Sequence, residues 1–134
     1  MIVLPRVDYT DRFALSTQAQ ASPEQWARAM FGNVPNAGEI FIWRVILGLR
    51  LQRGESPSTV AGWQIAERGD DWIRLEAESW FMAANLVVRT SPDVALTTTI
   101  HYKRAIGRLI WTPCSAVHRR LAPGVLRRAE ARIG

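Results

Sequence analysis

Cysteine is almost missing from this chain: Cys114 is the only one in 134 residues, so no internal disulfide can form. Lysine also occurs once, against sixteen arginines, a bias that reads as codon usage in a GC-rich genome. Long apolar runs are missing too. The most apolar stretch, "IFIWRVILGL", has ten residues with Arg44 inside it, too few to cross a bilayer. The opening "MIVLPRVDYTD" meets charge at Arg6 and Asp8 before a signal-type apolar core can build, so a cytoplasmic protein is expected. No Gly-x-Ser-x-Gly elbow and no phosphate-cradling glycine loop is present. The two histidines, His101 and His118, fall on opposite sides of the sheet derived below, and Glu76 and Glu78 point outward, so neither a metal nor a cofactor is expected.

What is present describes one folded domain spanning residues 1–134. Apolar residues make up 48% of the chain and include six tryptophans, enough for an ordinary core. Charge is uneven: residues 1–100 carry a net −2, and residues 101–134 carry +7. A basic end of this kind is either the solvated back of a helix or a surface for phosphate or anionic lipid. The tryptophans lie on apolar faces, so stacking on bases is not indicated and no nucleic-acid partner is expected. A peripheral membrane contact through the basic end stays open, as does the oligomeric state.

Period-two alternation marks a first strand over Asp8–Ser16. "ASPEQWARAMFG" then reads as a helix. Ser22 is its cap, Pro23 the first helical residue and Gln25 the partner in a capping box, with Trp26 and Met30 on the buried face and Gly32 closing it. A second helix is expected over "EIFIWRVILGL", its Arg44 snorkelling to the surface. Four strands follow, Thr59–Glu67, Trp72–Trp80, Met82–Thr90 and Val94–Lys103, joined by short turns as an antiparallel meander with one covered side. Within Trp72–Trp80 the alternation sets Arg74, Glu76 and Glu78 against Ile73, Leu75, Ala77 and Ser79.

The cover is a C-terminal helix whose Ile110, Trp111, Cys114, Val117, His118 and Leu121 recur at helical spacing. Pro113 lies near its start, and Pro123-Gly124 is expected to kink or interrupt it. The fold class is thus α+β, a curved antiparallel sheet with a long C-terminal helix and two short helices after the first strand.

A sheet curved around a helix encloses a space. The sheet side of its wall would be Trp63, Ser79, Leu86, Thr98 and Tyr102, and the helix side Trp111, Cys114 and His118. The same side chains, packed without gaps, would instead make a solid core. His118, seven residues after Trp111, has the chemistry to shuttle a proton near neutral pH, with Tyr102 opposite it polarising the same oxygen. The bland alternative is a structural histidine bonded to a backbone carbonyl. Cys114 is four residues from His118 and would gain nucleophilicity from a nearby helix start, yet a lone cysteine on an apolar face is ordinarily a small hydrophobe. Arg108 is expected to pair with a carboxylate such as Asp11, fastening the first strand to the last helix.

Asp11, Phe13, "WRVILGLRL" at 43–51, "GW" at 62–63, "ALTTTIHYKR" at 95–104 and "GRLIW" with His118 together resemble a group of small bacterial proteins of unknown function. That group sits within the START-like, or polyketide cyclase-like (SRPBCC), helix-grip superfamily. Its recurrent Gly-Arg-x-x-Trp run with a histidine seven residues on matches Gly107, Arg108, Trp111 and His118. Many members keep a proline shortly before that histidine, where this chain has Pro113 and, after it, Pro123. The resemblance implies a helix-grip fold with a cavity for a small apolar or amphipathic ligand. It implies either binding alone or a cyclase- or dehydratase-type reaction with His118 and Tyr102 as acid and base. An interaction module using the basic tail is the third class left open.

Overall fold

A computed structural model describes residues 7–31, 57–60 and 62–133. The elements in chain order are β1 (Tyr9–Leu15), α1 (Pro23–Phe31), β2 (Thr59–Val60), β3 (Trp63–Arg68), β4 (Trp72–Glu78), β5 (Met82–Arg89), β6 (Val94–Tyr102) and a long helix, α2 (Ala105–Ile133). The helix expected over "EIFIWRVILGL", with Arg44 and the closing Gly32, lies outside the described residues.

α1 begins as its sequence dictates. The Ser22 N–H donates to Gln25 Oε1 at 2.8 Å while the Gln25 N–H donates to Ser22 Oγ at 3.1 Å, a reciprocal capping box that satisfies two otherwise orphaned donors. Glu24 and Arg28 pair one turn apart, and Trp26, Ala27 and Met30 face inward.

The six strands form one open antiparallel sheet in the order β1-β6-β5-β4-β3-β2. The meander is read correctly from alternation, and β1 closes its far side by pairing with the last strand, Asp11 opposite Thr98 and Phe13 opposite Leu96. The single strand expected over Thr59–Glu67 is instead a tight hairpin, with Val60 opposite Trp63 and Gly62 at a φ of 87°. Only glycine takes that left-handed conformation without strain, so the turn hides inside what reads as continuous alternation.

One face of the sheet carries Ile73, Leu75, Leu86, Val88, Leu96 and Ile100, all buried, and it holds the main core with Trp26, Trp111 and Leu126. Among the described residues two helices share it. α2 packs on β1, β6 and α1, and α1 reaches β4 and β5. The opposite face is not simply solvated, contrary to the expectation of one covered side. Arg74, expected outward, is 5% exposed, and its guanidinium donates to Glu67 Oε1, Glu76 Oε2 and Asn85 Oδ1. A guanidinium tolerates burial there because its charge is paired and its donors are used.

α2 departs from its sequence reading twice. It runs unbroken through Pro113 and Pro123-Gly124. Each proline deprives the carbonyl four residues earlier of its donor, and those belong to the exposed residues Leu109 and Arg119, where water can replace the missing bond. The inward face is also rotated from the expected stripe. Gly107, Trp111, Ser115, Ala122, Leu126 and Ala129 are buried, whereas Val117 and Leu121 are half exposed. The sheet supplies the bulk, so the helix contributes mostly small residues and approaches closely. At Gly107 an added Cβ would lie 2.8 Å from the Phe81 carbonyl oxygen.

That contact makes two glycines of one helix respond oppositely to alanine. Gly107→Ala is expected to lower stability by about 1–3 kcal/mol, because the clash exceeds the gain in helix propensity. Gly124→Ala, with no atom within 4 Å of the new Cβ, is expected to raise it by about 0.5–1 kcal/mol. Urea unfolding of the two variants side by side measures both signs.

Candidate functional site

β1 alternates Tyr9, Asp11, Phe13 and Leu15 on the face that meets α2. An aspartate in such a row is costly unless its charge is matched. The match comes from α2: His118 Nε2 lies 3.1 Å from Asp11 Oδ2 and 3.4 Å from Oδ1. Thr98, opposite Asp11 in the sheet, places its hydroxyl 3.2 Å from the same nitrogen. Tyr9 donates its hydroxyl to Asp11 Oδ2 at 2.6 Å. Around these groups stand aromatic rings. Trp111 lies 5.7 Å from the His118 ring, Tyr9 meets Trp111 edge-on at 5.3 Å, and Phe13 meets His118 edge-on at 6.3 Å.

The electrostatics follow from these contacts. Burial alone would push the Asp11 carboxyl up, but hydrogen bonds from His118 and Tyr9, the nearby imidazole and a backbone bond from Thr98 hold it below the usual carboxylate range. Tyr9 moves the other way: desolvation, then its bond to Asp11, pushes the phenol up to about 12. A carboxylate only accepts, so the His118 nitrogen facing it carries the proton. The second nitrogen, Nδ1, has no partner among the described residues, and the side chain is 23% exposed. The indole N–H of Trp111, itself buried, also has no acceptor among them.

Of the expected wall residues, the structure brings Thr98, Trp111 and His118 together, with Leu86 one strand further on, opposite Thr98. Trp63 lies on β3 and Ser79 in the β4–β5 turn, where its hydroxyl accepts from the Phe81 and Met82 N–H groups. Tyr102 does not face His118. Arg108 lies over its ring at 5.8 Å, and His118 is ten residues further along α2, roughly 15 Å away at the helical rise. Arg108 is therefore engaged with Tyr102, and the Asp11 partnership expected of it belongs to His118. Cys114 sits in the tenth position of α2, far from the helix start, and burial pushes its thiol up, which removes the basis for a nucleophile. His101 lies on the other face with Asp8, its Nδ1 3.1 Å from Oδ2.

Asp11 and Tyr9 as site members escaped the sequence reading. The signal was available: Asp11 shares the parity of Phe13 and Leu15, and an inward carboxylate requires an inward donor. Among the hollows of the described surface, one is lined by Ser16–Ala19, Glu130 and Ala131 and another by Tyr102–Ala105 and Arg108, and neither of these includes His118. Among the described residues no helix is long and apolar enough to cross a membrane. No protein-family model, curated protein or solved structure matches the chain.

The lowered carboxyl of Asp11 fixes the sign of an acid transition. Its contribution is complete above the ordinary carboxylate value of about 3.9 and is lost as pH falls through the lower folded value. Asp11→Asn is expected to cost about 2 kcal/mol at neutral pH and to flatten that acid segment of the stability curve, read by denaturant midpoints against pH. At the alkaline end the raised phenol of Tyr9 stabilises below pH 10, and this is lost as pH rises through about 12. A wild-type minus Tyr9→Phe absorbance titration is expected to show the late ionisation.

Proposed function

We propose that this protein binds a small, largely apolar molecule carrying a hydroxyl or enol, in a helix-grip arrangement of the START-like kind, along the seam where β1 and β6 meet α2. The observation that carries the reading is the divided imidazole of His118. One nitrogen is held by Asp11 and Thr98, and the other is free to meet a ligand within a ring of aromatic side chains. Small-molecule sites commonly combine apolar walls with a few oriented polar groups. Trp111 adds a donor without an acceptor among the described residues, suited to a carbonyl on the same molecule.

A second reading, turnover by a cyclase- or dehydratase-type reaction, is favoured by the same carboxylate–imidazole pair. Asp11 accepts the Nε2–H and so orients the ring, which leaves the unprotonated Nδ1 available as a base. In this reading Asp11 and Tyr9 support His118, and Tyr102 has no part.

Native mass spectrometry of protein purified from its own host is expected to show an added small-molecule mass, lost in His118→Ala. Detection of only the bare chain, with no thermal shift from aromatic hydroxyketones, would overturn the binding reading. His118→Gln separates the two readings. It keeps a hydrogen-bonding side chain, so a binder loses on the order of tenfold in affinity, whereas an enzyme loses turnover altogether.

A further inference from the structure

The outer face of α2 carries large apolar side chains that the core does not use. Leu109 is 73% exposed, Leu121 51%, Val117 50% and Ile106 39%, and Pro113 is exposed between them. At 3.6 residues per turn these five fall within roughly 120° of arc and along roughly 22 Å of helix. A further exposed apolar side chain lies in the turn beside the amino-terminal end of α2. The Lys103 and Arg104 N–H groups donate to the Phe81 carbonyl at 2.9 and 3.3 Å, which sets the β4–β5 turn against the first turn of α2. Trp80 in that turn is 58% exposed.

Cations accompany the stripe. Arg120, Arg127 and Arg128 fall in the same arc, are exposed and pair with no carboxylate among the described residues, and Glu130 is the single acid of residues 105–133. Lys103, in contrast, is held by Glu78 at 2.6 Å. A second copy on this face would bring two sets of arginines together with no acid between them, a repulsive juxtaposition. A nucleic acid would use the charge and the one exposed ring of Trp80, but it would leave Ile106, Leu109, Val117 and Leu121, the bulk of the stripe, against water, since none of them offers a ring for bases to stack on. Anionic lipid uses both parts: aliphatic side chains enter the acyl boundary, guanidinium groups meet phosphates, and a tryptophan sits at the interface.

We propose that the outer face of α2, with Trp80 at its amino-terminal end, docks on an anionic phospholipid membrane. The test is sedimentation of the whole chain with vesicles of equal parts phosphatidylglycerol and phosphatidylcholine, against vesicles of phosphatidylcholine alone. The protein is expected to pellet with the anionic vesicles only, and less so as salt rises. Leu109→Glu and Val117→Glu, both at exposed positions and checked for folding by circular dichroism, are each expected to weaken binding on the order of tenfold. Arg127→Gln is expected to weaken it about fivefold. Arg12→Gln, at an exposed cation on β1 away from this face, leaves vesicle binding unchanged, and no variant of the test touches His118 or Asp11, so it is independent of the ligand reading. Absence of pelleting overturns the proposal. So does pelleting that ignores both glutamate variants, which would mark a simple polyanion site. A concentration-dependent dimer in sedimentation velocity that Leu109→Glu disperses would do so too, because the face would then belong to a second copy.

Discussion

The carboxylate of Asp11 is the constraint on which the site rests. It lies on the inward face of the edge strand β1, where desolvation works against its charge, and it keeps that charge because Tyr9, Thr98 and His118 all turn toward it. His118 is 107 positions away in sequence, so the bond ties the first strand to the last helix. A slip of β1 by one residue on β6 would turn Asp11 to the other face and bring Thr10 or Arg12 inward. Register, charge and helix position are therefore specified by one group. The orientation of the His118 ring, with Nδ1 unengaged, is a consequence of the same bond.

A division of bulk accounts for the helix above this row. Leucines, valines and isoleucines of β4, β5 and β6 fill the space over the sheet, and α1 adds Trp26 and Met30 beside them. α2 is left to contribute glycine, serine and alanines at most contact positions, with Trp111 and Leu126 as its large inward groups. Close approach at Gly107 follows, and so does the exposure of the helix's own aliphatic residues, which have no core position left to occupy. Prolines survive within this helix because the carbonyls they orphan lie on its exposed side.

Much of the fold was legible because its signals are local. Alternation identified β4, β5 and β6, and Ser22, Pro23 and Gln25 announced α1. The misreadings share a cause. The Gly62 turn was concealed because alternation resumes across it, and the face of α2 was misjudged because hydrophobicity alone selected Val117 and Leu121 over Ser115 and Ala122. At the site, Trp111, Thr98 and His118 were recognised, while Asp11 was assigned to Arg108. Charge complementarity cannot choose among partners that sequence places equally far away.

The sequence by itself determined the composition of the structure: an α+β chain, a meander of strands, a long basic helix, and His118 on the same helical face as Trp111. These depend on periodicity and capping, interactions between residues only a few positions apart. Tertiary structure alone decided that β1 returns to β6, that Asp11 rather than Tyr102 stands at His118, and that α2 presents small residues inward and an aliphatic, arginine-flanked face outward. Those outcomes depend on which surfaces compete to fill one core and which donors a desolvated carboxylate can reach, and both are settled only when distant parts of the chain meet.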